Sequence, residues 1–222
     1  MIKQSTSPPS GNRRGFFFGV IMKTFLHVGC GHKTQRQTTA LFADVAEWKE
    51  LRFDIDPAVN PDLEGTILDM SAVDDGSVEA VFSSHNIEHV YPHEVPVALA
   101  EFRRVLKPDG YLILTCPDLL SVAALIAEDK LTEPAYESPA GPISPLDILY
   151  GFRTSMAAGN LYMAHRCGFT RKVLHGTLQA AGFQSVGTRA RAHPFYDLWA
   201  IAANSPLEDE NVQALAQAHF PG

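Results

Sequence analysis

Thr24-Phe25-Leu26-His27-Val28-Gly29-Cys30-Gly31-His32-Lys33 decides how the rest of the 222-residue chain is read. Phe25, Leu26 and Val28 make a short apolar run that Gly29 and Gly31 then break. The pattern is that of a buried parallel strand opening into a turn where backbone comes close to a ligand, so that a side chain at either glycine would fill the ligand's space. A dinucleotide fingerprint would carry a third glycine at or near residue 34, where Thr34 stands. Gly-x-Gly alone also fits a plain turn. The segments downstream decide between the two.

Residues 32–39 are polar and without periodicity, and Ala40 to Trp48 reads as a short helix. Leu51 to Pro57 then reads as a second strand ending in acid, with Asp54 about 20 residues past the glycines. A carboxylate at that strand's carboxyl end faces the crevice and can accept both ribose hydroxyls of an adenosine ligand. Capping the following turn is the alternative role, and it is the one assigned to Asp56, beside Pro57. Thr66 to Met70 reads as a third strand ending in acid. Asp74-Asp75-Gly76-Ser77 is turn chemistry leading into a fourth strand, Val78 to Ser83. Strands that repeatedly end in polar residues describe a parallel sheet with one functional edge.

The whole chain limits what that edge serves. Its length suits one domain, and 45% hydrophobic with 19% charged residues is an ordinary globular balance. A formal charge of −7, with no Lys/Arg run longer than a pair, argues against a nucleic-acid partner. Cys30, Cys116 and Cys167 are widely spaced without a CxxC, which fits a reducing, cytoplasmic setting. Residues 1–21 read as a disordered tail or mis-assigned start. The apolar stretch after Arg13-Arg14 is too short to span a bilayer, and no membrane association is expected. The domain proper is expected over 22–204, with a C-terminal tail at 205–222 whose apolar residues near Ala214 to Phe220 also fit a short surface helix.

Asp69-Met70, the run Asp75 to Val81, and Ser84-His85-Asn86-Ile87-Glu88-His89 together resemble class I S-adenosylmethionine-dependent methyltransferases. Glu101 to Leu112, with Arg104-Val105-Leu106-Lys107-Pro108-Asp109-Gly110 at its centre, is similar to that family's signature helix and fifth strand. The helix has its own physical basis: Leu99, Phe102, Val105 and Leu106 recur at helical spacing, and Pro108 and Gly110 end it ahead of a buried strand. The resemblance implies a doubly wound α/β fold, a Rossmann-like sheet of seven mostly parallel strands with an antiparallel last strand. It implies S-adenosylmethionine as cofactor. His27, Gly29, Cys30 and Gly31 would approach its methionine part, Asp54 and Ile55 its ribose, Asp69 and Met70 its adenine, with Ser84 and His85 closing the site. His27 stands where many members have an acid, and Lys33 where many have a third glycine. Lys33 suits either the cofactor's carboxylate or solvent.

His85, His89 and His93 recur at i, i+4 spacing and would share a face of a continuous helix, which invites a metal reading together with Glu88. Pro92 interrupts such a helix and no Cys or Asp joins at ligand spacing, so no metal is expected. His85 and His89 are instead candidate catalytic residues, since an imidazole titrates near working pH and can take a proton from an attacking hydroxyl or amine. A buried, hydrogen-bonded His89 that only orients its loop is the alternative.

Asp118 to Glu128 reads as a helix. Residues 132–147 carry too much proline for regular structure, so 130–168 is expected to be a lid or substrate-binding insertion. Tyr150, Arg153 and His165 are its candidate substrate-binding residues, with Tyr162 and Arg166 beside them. Thr170 is a candidate N-cap for a helix over 171–181 that Gly182 ends. Phe183 to Arg189 and Leu198 to Ala203 read as the last two strands. The expected reaction is methyl transfer to a small molecule of unspecified class and the oligomeric state is open. A nicotinamide-dependent oxidoreductase is the first rival, weakened by the missing third glycine and by the absence of a Tyr-x-x-x-Lys pair. A non-catalytic S-adenosylmethionine-binding module is the second.

Overall fold

The apolar run before Gly29 forms β1 (Lys23–Val28), its last four residues buried. The structure is a computed structural model describing residues 22–221. The expected tail at 1–21 lies outside those residues. β1 pairs in parallel with β2 (Trp48–Asp54) on one side; β3 (Leu63–Glu64) extends the sheet beyond β2, and β4 (Val78–Ser84) flanks β1 on the other side. β5 (Leu106–Pro117) continues in parallel beyond β4. A separate hairpin, β6 (Tyr136–Ser138) with β7 (Gly141–Ile143), stands outside the sheet. β8 (Ser185–Arg191) and β9 (Asp197–Ala203) complete the far edge, β9 lying antiparallel between β5 and β8. The order β3-β2-β1-β4-β5-β9-β8 is the expected mostly parallel sheet with an antiparallel end. β1 and β4 run parallel, but the order of strands reverses at β1, with β2 and β3 on one side and β4 and β5 on the other, so a crevice opens at the carboxyl ends of β1 and β4.

Helices α1 (Val95–Val105), α2 (Leu119–Ala127), α3 (Pro145–Tyr150), α4 (Arg153–Ala157), α5 (Arg171–Ala180) and α6 (Asp209–His219) fill the connections and the C-terminus. One face of the sheet buries Leu26, Val28, Val81, Leu112 and Leu114 against Leu99 and Phe102 of α1 and Leu174 and Leu178 of α5. The other face presents Phe25, Phe82, Ile113 and Ile201 to Phe42, Trp48 and the apolar side of α6. The rings of Phe25 and Phe42 stack at 4.3 Å between centroids.

Four expectations give way here. Ala40 to Trp48 is not a helix: the Asp44 carboxylate accepts from the Ala46 N–H, and the Gln35 amide donates to the carbonyls of Phe42 and Trp48. Those competing bonds hold a chain of turns, and Trp48 begins β2. The third strand is the pair Leu63–Glu64, while residues 66–69 form a tight turn. The proline-rich stretch is ordered as the β6–β7 hairpin and α3, with Pro145 in the first turn and a reciprocal Ser144/Asp147 capping box. Leu106, Pro108 and Gly110, expected to complete and end the helix, lie in β5, which starts where α1 stops at Val105. The C-terminal stretch, where a short surface helix is one reading of the tail, contains α6. Its buried His219 lies 2.8 Å from Thr39 Oγ1 and 3.0 Å from the Tyr111 hydroxyl, so this last helix and the Phe42 turn cover the Phe25 face of the sheet together.

Candidate active site

The loop after β1 is held over the end of β2. The Gly29 and Cys30 N–H groups donate to the Phe53 carbonyl at 2.9 and 3.3 Å, and Arg52 donates to the Gly31 carbonyl at 2.6 Å. Asp54, the last residue of β2, is 8% exposed. One of its carboxylate oxygens accepts from the Gly31 N–H at 2.7 Å and the other from the Asp56 N–H at 3.0 Å. Each oxygen keeps an unused lone pair. The two glycines differ in what they permit. Both have positive φ, +64° and +52°, but a Cβ at Gly29 would meet the Asn86 side-chain amide at 2.7 Å, whereas at Gly31 nothing lies within 4 Å. Gly31 therefore keeps the cleft clear, and Gly29 is required by the packing of Asn86.

The cleft has a volume of about 440 Å³ and runs along the carboxyl ends of β1, β2 and β4. Gly29, Gly31, Asp54, Ile55 and His85 line it as expected, joined by Ile67, Leu68, Asn86, Tyr162 and Arg166. Five expected cofactor residues do not line it. His27 falls on the opposite face of β1 by strand alternation, fully buried near Phe82, with Nδ1 2.6 Å from Glu50. The Cys30 side chain is 1% exposed, and burial pushes its thiol up to about 11. Asp69 turns its carboxylate to the Ser71 N–H, and Met70 is buried in the core. The Ser84 hydroxyl lies 2.9 Å from that of Thr115. The apolar wall comes from Ile67 and Leu68 because the tight turn places residues 65–68, rather than 69–70, beside β2.

A second cavity of about 270 Å³ adjoins the cleft, and His85, His89 and Met163 line both. Its remaining walls come from the β6–β7 hairpin, α3, and Phe195 and Tyr196. His165 lines it as expected; Tyr150 and Arg153 do not. Tyr150 is 62% exposed, and Arg153 is drawn away by Asp147, its Nε 2.7 Å from Oδ1. Burial raises the Asp147 carboxyl, but Arg153 and the Ser144 hydrogen bonds outweigh it and hold it far below the usual range.

The histidines assemble differently from a helical stripe. His85 sits at φ +53°, residues 87–89 make a single turn, and α1 starts only at Val95, so His93 leaves the group and stacks on Tyr91. His165 takes its place. The N–H groups of Arg166 and Cys167 donate to the Glu88 carbonyl at 2.8 and 3.2 Å, which ties the 164–167 segment to the 87–89 turn. The rings of His89 and His165 then lie 4.9 Å apart. Ligand atoms of Glu88, His89 and His165 all fall within 4.8 Å of one another. Glu88 is 1% exposed. Burial pushes its carboxyl up, but His85 at 3.3 Å with His89 and His165 nearby more than offsets this and holds it below the ordinary value. For His165 burial dominates and lowers its pKa, against the opposing pull of Glu88.

Residues 26–114, from the glycine loop through most of β5, match the model of a methyltransferase domain family. That segment is a methyltransferase domain. No curated protein matches the sequence closely enough to count as a relative. Solved structures share the fold. A S-adenosylmethionine-dependent methyltransferase from Archaeoglobus fulgidus is 14% identical with a TM-score of 0.53, over 83% of this chain and 87% of that one. The 1,6-didemethyltoxoflavin-N1-methyltransferase of Burkholderia thailandensis, solved with bound 1,6-didemethyltoxoflavin and S-adenosylhomocysteine, is 14% identical with a TM-score of 0.53 over 83% of this chain and 72% of that one. At this identity the likeness is one of fold. The cofactor of the methyltransferase domain, S-adenosylmethionine, fits the cleft of this chain: the space above Gly31 is open, Asp54 retains two acceptors, and the adjoining wall is apolar. Among the described residues no helix is long and apolar enough to cross a membrane.

Proposed function

We propose that this methyltransferase domain transfers the methyl group to a small molecule held in the second cavity. The observation that carries the reading is that two cavities of different character share one wall, formed by His85, His89 and Met163. Asp54 would accept the ribose hydroxyls, Ile67 and Leu68 would flank the adenine, and Arg166 would meet the methionine carboxylate. S-adenosylmethionine supplies a methyl already activated on a sulfonium, so the protein's contribution is alignment and exclusion of water. The β6–β7 hairpin and α3 enclose the acceptor on the side away from the cleft. His85, half-exposed at the shared wall, is the group to receive an acceptor proton. His89 is fixed through Nδ1 on the Ala164 carbonyl at 3.1 Å and is a positioning residue.

Ala140, exposed at the hairpin tip and lining the cavity, provides the test. Ala140→Trp fills the cavity from its rim without overpacking the core. With a panel of small phenols, enols and N-heterocycles, the wild type should release S-adenosylhomocysteine with at least one acceptor. The variant should bind S-adenosylhomocysteine normally and lose that turnover. Transfer to protein or RNA but to no small molecule would contradict the reading.

A further inference from the structure

Glu88 alone among the described carboxylates has both oxygens buried without a hydrogen bond. His85 Nδ1 stands 3.3 Å from one of them but is not aligned to donate. An ionised carboxylate taken out of water in this way calls for a counter-ion or an absent partner. The groups that face it are already committed at their far ends. His89 Nδ1 lies 3.1 Å from the Ala164 carbonyl and His165 Nδ1 lies 2.7 Å from the Ile148 carbonyl. A carbonyl only accepts, so each Nδ1 carries the proton and each neutral ring presents the Nε2 lone pair at its other end. Backbone carbonyls fixing the outer nitrogen of an imidazole are the usual support of a metal-binding histidine.

We propose that Glu88, His89 and His165 bind one divalent transition-metal ion, with an open coordination position facing the second cavity. Two imidazole nitrogens and a carboxylate suit Zn²⁺ and its neighbours, while Mg²⁺ prefers an all-oxygen set. Three protein ligands leave a position for water or substrate. Glu88 and His165 line the second cavity and not the cofactor cleft, so the open side looks toward the acceptor. The consequence for the acceptor rests on the small-molecule reading above: it is a hydroxyl or enol whose oxygen becomes a ligand and loses its proton more readily. That proton passes to His85 or solvent, the oxygen lone pair forms the new O–CH₃ bond, and the S–CH₃ bond breaks to leave a neutral thioether.

The test uses the full chain, freed of metal with a chelator and titrated with Co²⁺ as a spectroscopic stand-in for Zn²⁺, with S-adenosylhomocysteine binding measured on the same samples. One Co²⁺ per chain with visible d–d bands is expected, displaced by equimolar Zn²⁺ and unaffected by Mg²⁺. Glu88→Gln and His165→Ala should each weaken the ion by on the order of a hundredfold or more, since a lost ligand exceeds the loss of a supporting hydrogen bond. S-adenosylhomocysteine affinity should persist in both variants, which shows that they fold. No saturable cobalt band in the wild type, or bands that survive both substitutions, would overturn the proposal. Cobalt binding without S-adenosylhomocysteine binding would instead overturn the methyl-transfer reading and leave the metal site standing.

Discussion

Alanine substitutions at the two loop glycines separate folding from cofactor binding. Gly29 and Gly31 share positive φ values of +64° and +52°, so alanine costs roughly 1–2 kcal/mol of conformational strain at either. At Gly29 the added Cβ also falls 2.7 Å from Asn86 Nδ2 and 2.9 Å from Cγ. Asn86 must move, which adds about 1–3 kcal/mol of overpacking. Gly29→Ala should therefore lose about 2–5 kcal/mol of stability and Gly31→Ala only about 1–2 kcal/mol. The effect on binding reverses this ranking for molecules that remain folded. The Gly31 methyl projects into open cleft, and displacing the ligand by its width should weaken S-adenosylhomocysteine roughly 10- to 100-fold, or about 1.4–2.8 kcal/mol. Urea unfolding of the ligand-free protein gives the first quantity and calorimetric titration the second. The double substitution Gly29→Ala/Asn86→Ala should recover the crowding component and leave the conformational one. Equal stability losses at the two positions, or unchanged ligand affinity in Gly31→Ala, would refute this reasoning.

Asp54→Ala removes the acceptors for two ribose hydroxyls. At about 1.5–3 kcal/mol for each charge-assisted bond the affinity for S-adenosylhomocysteine should fall roughly 10²- to 10⁴-fold, and calorimetry showing no change would contradict the assignment. His219 sets an acid sensitivity of the fold: burial lowers its pKa from 6.5 to about 4, so the unfolded chain binds the extra proton across that interval. Stability should therefore fall as pH drops from 6.5 towards 4, by about 3 kcal/mol in total, and His219→Gln should flatten that part of the urea-unfolding profile.

What could be read from the sequence was what local chemistry controls. The β1–glycine loop, Asp54 at the end of β2 and the Thr170 cap depend on neighbours close in sequence and formed as read, as did the Leu99/Phe102/Val105 face of α1, although the helix ends at Val105 and Leu106, Pro108 and Gly110 belong to β5. The errors arose where a distant partner decides. His27 was placed by its position in a motif, but strand alternation sends its ring to the far face and to Glu50. Arg153 looked available for substrate until the Ser144–Asp147 cap claimed it. The residues 40–48 carried no signal that α6, more than 160 residues away (|i−j| = 180 for the Thr39–His219 contact), would cover the sheet beside them. The histidine group shows the same limit. Spacing suggested His85, His89 and His93, whereas the bonds from residues 166 and 167 to the Glu88 carbonyl substitute His165 for His93.

The arrangement of the two cavities is tested most directly by a crystal structure of the full chain with S-adenosylhomocysteine. The account predicts the ribose on Asp54, the adenine against Ile67 and Leu68, and the sulfur at the wall of His85 and His89, its former methyl direction pointing into the second cavity. A sulfur directed away from that wall, or a second cavity filled by the β6–β7 hairpin once the ligand is bound, would contradict it.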